Sequence, residues 1–193
     1  FEYDYQFMIN EIVRNIKTAC KKAKVPMPNI FTEFGSYTVG ESMAHIYSVL
    51  MDKVQNDRER WYMIDSSFIT TLPDTWGIGE KFLMLPINKW DQDYQRVVLG
   101  GITCDSHDYY DSEEHINEVF LPKTNGDDEP LYVGFFHTGA YQDQISGYGG
   151  IKHCLIPSPQ HVIVGYDRNG KLVDWVYAKQ QTAQSMLKIL GYK

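Results

Sequence analysis

Residues 161 to 177 read HVIVGYDRNGKLVDWVY. Two short runs rich in β-branched and aromatic residues, His161 to Tyr166 and Lys171 to Tyr177, flank Asp167-Arg168-Asn169-Gly170. Asn-Gly tolerates the positive φ of a tight turn, so the stretch predicts an antiparallel hairpin. Working upstream, the same texture of short β-rich runs between turn residues recurs at Trp61 to Ile64, Val97 to Cys104, Glu118 to Leu121 and Leu131 to His137. Thr124 to Pro130 reads as a polar loop. Downstream, Lys179 to Leu190 is expected to be a helix ended by Gly191.

The first sixty residues look different. Tyr5, Met8, Ile9, Ile12, Val13, Ile16, Ala19, Cys20 and Ala23 recur at three- and four-residue steps, with Arg14, Lys17, Lys21 and Lys22 between them. That is an amphipathic helix, basic toward its C-terminal end as the helix dipole favours. Pro26 and Pro28 stop it, and Asn29 to Glu33 give a short extended run ending at Gly35. After Gly40, the spacing of Met43, Ile46, Tyr47, Leu50 and Val54 predicts a second helix, closed by the charged stretch Asn56 to Arg60. The expected class is α+β: helical elements in 1–60, then a mostly antiparallel, barrel-like β-domain in 61–193 with a terminal helix.

The chain has 193 residues, 43% of them hydrophobic and 14% aromatic, enough to bury a core in one or two domains. Its 25 acidic against 18 basic residues give a net charge of -7, which argues against general nucleic-acid binding. No apolar run is long enough to cross a bilayer, and Glu2 and Asp4 do not make a basic signal-peptide start, so a cytoplasmic protein is expected. Cys20, Cys104 and Cys154 are odd in number and far apart, which argues against a disulfide framework or a structural zinc site. The opening Phe1 in place of Met, followed at once by helical residues, suggests either that something was removed upstream or that this is a piece of a longer protein.

Several segments could carry chemistry. Glu33-Phe34-Gly35-Ser36 leads from an extended run into a helix, where glycine lets an anion approach free N–H groups; a plain turn capped by Ser36 is the simpler reading of that segment alone. Gly100 to Asp108 delivers the Cys104 thiol beside the Asp105 carboxylate: a proton donor next to an anchor for a cationic group. The bland alternative is a buried Cys104 ending a strand, with Asp105 bonded to its own turn. Cys104, His107 and Asp108 also suggest metal ligands, with Glu113, Glu114 and His115 as the one further cluster nearby, and on balance no metal is expected. Phe135 to Gln142 ends a strand in small residues and Tyr141, whose phenol could bond a phosphate oxygen. Ser146 to Gly150 is glycine-rich without the lysine of a nucleotide loop, Leu72 to Gly77 is a turn with Asp74 and Trp76, and His45 and His161 read as structural.

Together, Phe31 to Ser36, Ser67 to Gly77, Ile102-Thr103-Cys104-Asp105-Ser106 and Gly134-Phe135-Phe136 with Gly139 to Gln142 resemble, in order, the C-terminal part of the biosynthetic arginine decarboxylases. These are pyridoxal-phosphate enzymes of the alanine-racemase-like fold. The related ornithine and diaminopimelate decarboxylases share the Cys-Asp or Cys-Glu pair and the Gly-Ala-Tyr, while the Leu-Pro-Asp-x-Trp-Gly segment points to the arginine branch. The resemblance implies that Glu33 faces the pyridine nitrogen of pyridoxal phosphate, that Gly35, Ser36 and Tyr141 hold the phosphate, that Cys104 protonates the α-carbon after carbon dioxide leaves, and that Asp105 grips the guanidinium. It also implies a cytoplasmic homodimer or higher oligomer, with Cys104 and Asp105 reaching a neighbouring subunit's cofactor, a role in polyamine synthesis through agmatine, and Mg2+ as a second ion to consider in the full-length enzyme.

Two departures from the family pattern stand out. Ser36 occupies the position where the motif usually carries a phosphate-binding arginine, and no segment matches the one that bears the Schiff-base lysine. The helices before residue 60 are therefore expected to be the last elements of a truncated (β/α)8 barrel, and this polypeptide alone is expected to be inactive. A decarboxylase of another basic amino acid (lysine, diaminopimelate or carboxynorspermidine) and a non-catalytic dimerisation module are the competing readings.

Overall fold

A computed structural model of the chain describes residues 4–111, 118–124, 126, 129–147 and 149–193. The chain divides into two units, Phe1–Phe34 and Gly35–Lys193. The first holds the helix α1 (Tyr5–Ala23). Asp4 caps its start by accepting from the Phe7 N–H, Lys21 and Lys22 sit in its last turn, and Lys24 closes it in the left-handed conformation, as the periodicity and charge placement predict. Residues 25–34 carry no regular structure and are exposed.

The second unit opens with the one-turn helix α2 (Gly35–Val39) and a short 3-10 turn, Gly40–Ser42. Next come the strands β1 (Ala44–Gln55) and β2 (Glu59–Ile64), the short helices α3 (Phe68–Thr71) and α4 (Pro73–Gly77), and then β3 (Leu83–Pro86), β4 (Tyr94–Gly100), β5 (Val119–Pro122) and β6 (Tyr132–Phe136). After α5 (Gln142–Ile145) the predicted hairpin appears as β7 (His161–Tyr166) and β8 (Leu172–Ala178), with Gly170 at φ 76°. The terminal helix α6 (Ala183–Ile189) is shorter than expected. Thr182 and Ser185 bond reciprocally at its start, and Gly191, at φ 88°, ends it.

Six strands form one sheet in the order β3-β6-β1-β2-β4-β5, and β7 and β8 pair by themselves. Every pairing is antiparallel except β2 with β4. The α+β class with a mostly antiparallel sheet is thus observed.

Residues 44–55 correct the sequence reading, because they are the central strand β1 and not a helix. Its buried residues, His45, Tyr47 and Val49, alternate with exposed or half-buried ones, and the expected helix end at Asn56 to Arg60 is a turn, with Asn56 and Asp57 both at positive φ, that leads into β2 at Glu59. The sheet therefore begins upstream of residue 60. Two of the shorter expected strands also change, and one strand is new. Val97 to Cys104 is a strand only as far as Gly100, β3 was not anticipated, and Asn29 to Glu33 pairs with no strand.

The core fills the sheet's covered face. Tyr47, Phe68, Tyr110 and Phe135 meet edge-on or tilted at centroid distances of 4.9–5.9 Å, arrangements worth about 0.5–1.5 kcal/mol per pair beyond area burial. The buried hydroxyls are satisfied: Tyr47 pairs with Thr71 Oγ1 at 2.6 Å, and Tyr62 donates to the Pro122 carbonyl at 3.0 Å.

Candidate active site

Two motifs distant in sequence are stitched together at the end of β6. The Gly139 N–H donates to the Gly40 carbonyl at 2.9 Å, and the Thr138 N–H to that of Met43 at 3.0 Å. A Cβ added at Gly139 would lie 1.9 Å from the Val39 carbonyl oxygen, so only glycine permits this approach. The chain then turns sharply through Tyr141, a non-glycine residue at φ 65°, which brings its hydroxyl beside Gly35: a Cβ built there would sit 3.1 Å from it. Gly35, Ser36 and Tyr141, three of the residues picked from sequence, thus share one corner of the second unit. Ser36 lies inside α2 and is not its cap, although the segment does lead from irregular chain into a short helix as the simpler reading has it. Glu33 is exposed at the end of the first unit.

The Leu72 to Gly77 segment is the seat of that corner. Asp74 accepts from the Gln142 amide at 2.8 Å, and Gln142, fully buried, also donates to the Ala140 carbonyl at 3.0 Å. Asp74 and burial together raise the Glu80 carboxyl above the ordinary range, burial being the larger cause. Trp76 stays exposed on the surface.

Cys104 and Asp105 lie on the loop after β4. The buried Asp108 carboxylate holds this loop: it accepts from the Phe68 N–H at 2.8 Å and from the Thr103 hydroxyl at 2.6 Å, while the Ile102 N–H donates to the Ser66 carbonyl at 3.0 Å. Gly101 packs so tightly on Asp108 that a Cβ there would come within 2.3 Å of its carboxylate. Asp105 accepts from the His107 N–H at 2.8 Å, the self-bonded turn considered from sequence, and it remains part-exposed. Cys104, in contrast, is exposed and not a buried strand end. The Cys154 sulfur 3.4 Å away raises the Cys104 pKa above the usual thiol range, because a thiolate there would face a second sulfur; the Asp105 carboxylate adds a smaller push.

The metal grouping of Cys104, His107 and Asp108 does not form, since both Asp108 oxygens are committed to the Phe68 and Thr103 N–H groups and the Thr103 hydroxyl. Glu113, Glu114 and His115, and Tyr148 of the glycine-rich loop, lie outside the described residues. His45 and His161 are structural, as expected: His45 is buried 2.8 Å from the Thr138 hydroxyl, and His161 pairs with Asp143 at 3.2 Å. Sequence reasoning missed the buried Asp143–Lys152 pair, which belongs to no recognisable motif, and it did not see that Asp108 and Gln142, both inside stretches it singled out, hold the loop and the corner in place.

No family model matches the chain. Among curated proteins it is 31% identical over 157 residues to the biosynthetic arginine decarboxylase of Marinobacter nauticus, covering 79% of this chain and 23% of that protein. The corresponding enzyme of Proteus mirabilis is 33% identical over 144 residues, with 72% and 22% covered. The chain is related in sequence to the biosynthetic arginine decarboxylases. It spans less than a quarter of the length of the relatives it matches.

Solved structures share the fold. The arginine decarboxylase of Campylobacter jejuni superposes with a TM-score of 0.65 over 95% of this chain and 43% of its own, at 18% identity. The diaminopimelate decarboxylase of M. jannaschii, in co-complex with L-lysine, gives a TM-score of 0.61 over 89% of this chain and 35% of its own, at 19% identity. The α+β arrangement around the six-stranded sheet is therefore that of this decarboxylase relative group.

Proposed function

We propose that this chain is the C-terminal portion of a pyridoxal-phosphate-dependent arginine decarboxylase that converts L-arginine to agmatine and carbon dioxide in polyamine synthesis. The observation that carries the reading is the corner where the Tyr141 hydroxyl meets the side-chain-free Gly35, a small cradle lined by a phenol and backbone and suited to an anionic oxygen. In this reading Gly35, Ser36 and Tyr141 would hold the phosphate end of the cofactor, and the family resemblance assigns the carboxylate for its ring nitrogen to Glu33. When bound, that cofactor supplies the electron-withdrawing ring that makes loss of carbon dioxide feasible. Ser36 can donate one hydrogen bond, so backbone groups carry more of the phosphate affinity than in relatives with arginine there.

Cys104 is the proton donor to the substrate α-carbon. Its raised pKa keeps the thiol protonated near neutral pH, the state a donor needs. Asp105 offers a carboxylate that a planar guanidinium matches in two-point contact. Both residues act across a homodimer interface, and the elements before β1 are the closing part of the cofactor-binding barrel. The parent enzyme is cytoplasmic, and this chain alone does not turn over.

The test uses the enzyme that contains this chain, with arginine, lysine, ornithine and diaminopimelate as a substrate panel. Agmatine from arginine should dominate, and Cys104→Ala should lose most turnover or change the product. Preference for another substrate, or normal turnover and product in Cys104→Ala, would overturn the assignment. Agmatine formed by this chain alone would overturn the reading that it does not turn over by itself.

A further inference from the structure

Forty-nine residues separate Cys104 from His153, yet the fold brings their side chains together with Cys154 at the surface. The Sγ atoms of Cys104 and Cys154 are 3.4 Å apart, and His153 Nε2 lies 3.5 Å from the Cys154 sulfur and 4.0 Å from that of Cys104. All three ligand atoms fall within 4.8 Å of one another, and among the described residues this is the one such His/Cys/Asp/Glu group.

The triangle has the dimensions of a tetrahedral face. Metal–sulfur bonds of about 2.3 Å and metal–nitrogen bonds of about 2.0–2.1 Å place two sulfurs about 3.8 Å apart and a sulfur and nitrogen about 3.6 Å apart. The observed edges differ from these by a few tenths of an ångström. The supports on both sides are fixed independently of any ion. Asp108 and Ser66 hold the Cys104 loop. On the other side, the buried Lys152 anchors its own backbone through Asp143 and Ser146 just before His153. Cys154 and Leu155 then take left-handed backbone conformations, at φ 51° and 55°, an arrangement uncommon for such residues that turns the short 3-10 segment at His153–Leu155.

We infer that Cys104, His153 and Cys154 form a binding site for a thiophilic divalent cation of the zinc class, with its fourth position open to solvent or an added ligand. Two thiolates and an imidazole suit such an ion better than Mg2+ or Ca2+, which take oxygen ligands. Binding displaces a proton from each thiol, so uptake releases two protons per ion and strengthens as pH rises. A loaded site has no S–H left on Cys104. In the decarboxylase reading the ion is therefore an inhibitor, but the site itself does not depend on that reading.

The experiment takes reduced, metal-free protein under anaerobic conditions and titrates it with Co2+, then Zn2+. Cobalt should give thiolate charge-transfer absorption and an intense tetrahedral visible band that saturates at one ion per chain, and zinc should abolish both. Zinc should also lower by two the number of thiols that react rapidly with a disulfide reagent. His153→Ala and Cys154→Ser should each weaken zinc binding by about tenfold or more, whereas Cys20→Ser should not. Because the three side chains are exposed, His153→Ala keeps the proposal testable should a cysteine variant misfold. An octahedral cobalt spectrum, unchanged binding in His153→Ala, or loss of the two reactive thiols without metal and their return with reductant, which marks a disulfide instead, would each overturn it.

Discussion

Lys152 and His153 are neighbours in the chain with opposite fates. The Lys152 ammonium has no solvent access and is sealed against Asp143, Ser146 Oγ and the Thr70 carbonyl, with His161 on the other oxygen of Asp143. One residue on, His153 and Cys154 point their donor atoms outward at Cys104. A buried charge must have its partners supplied by the fold, because leaving one unpaired is costly, whereas an exposed group can wait for a ligand. The closed cluster therefore reads as scaffold and the open one as site.

The largest expected effect breaks the closed side. Asp143→Ala leaves Lys152 buried without its counter-charge and should cost about 3–5 kcal/mol in urea unfolding. A loss under about 1 kcal/mol would mean that the charge is not sealed. Close behind comes a pH effect at His45, which packs near the same charges. Burial is the main cause that lowers its pKa from 6.5 to about 4. With the folded value below the unfolded one, the unfolded chain binds the extra proton. Stability is full above pH 6.5 and falls by up to about 3 kcal/mol on acidification through pH 4. His45→Asn should flatten that part of the pH dependence relative to the parent, and an unchanged slope would place the acid sensitivity elsewhere.

How much of this was legible in the sequence depended on how local the signal was. The β7–β8 hairpin was readable because its turn chemistry and its strands lie within eighteen residues, and Gly170 supplies the positive φ of its turn. The Gly139–Tyr141 corner is a weak signal by itself, since buried tyrosines are common, and it stands out in the sequence only beside the other matching segments; its approach to Gly35 is supplied by the fold. Strand β1 was misread because Met43, Ile46, Tyr47, Leu50 and Val54 fall at helical steps, although the fold buries His45, Tyr47 and Val49 at steps of two. Burial by β2 and β6 decides that segment, and neither is visible locally. The Cys104–His153–Cys154 triangle was invisible for the same reason: metal ligands are recognised by short spacing, and here the fold spans the gap.

A mid-sized effect tests the corner itself. Gly139→Ala drives a Cβ into the Val39 carbonyl and should cost about 1–3 kcal/mol. Gly35→Ala meets only the movable Tyr141 hydroxyl, so it should change stability by under about 0.5 kcal/mol. If the two glycines proved equally sensitive in thermal unfolding, the distinction between a structural glycine and one kept clear for a ligand would fail.

The smallest stability effect belongs to the open cluster and sharpens the comparison most. Cys154→Ser removes an exposed sulfur that fills no core, so the unfolding midpoint should stay within the change expected of a surface substitution, about 0.5 kcal/mol. The same substitution removes the main cause of the raised Cys104 pKa. Thiolate formation at Cys104 should then move to lower pH, and the pH profile for its alkylation by iodoacetamide in metal-free protein should move with it. Asp105 still disfavours the thiolate, so part of the upward shift persists. A variant that lost stability while the alkylation profile stayed in place would make Cys154 a packing residue, and the boundary between scaffold and site would then have to be drawn after Cys154 instead of between Lys152 and His153.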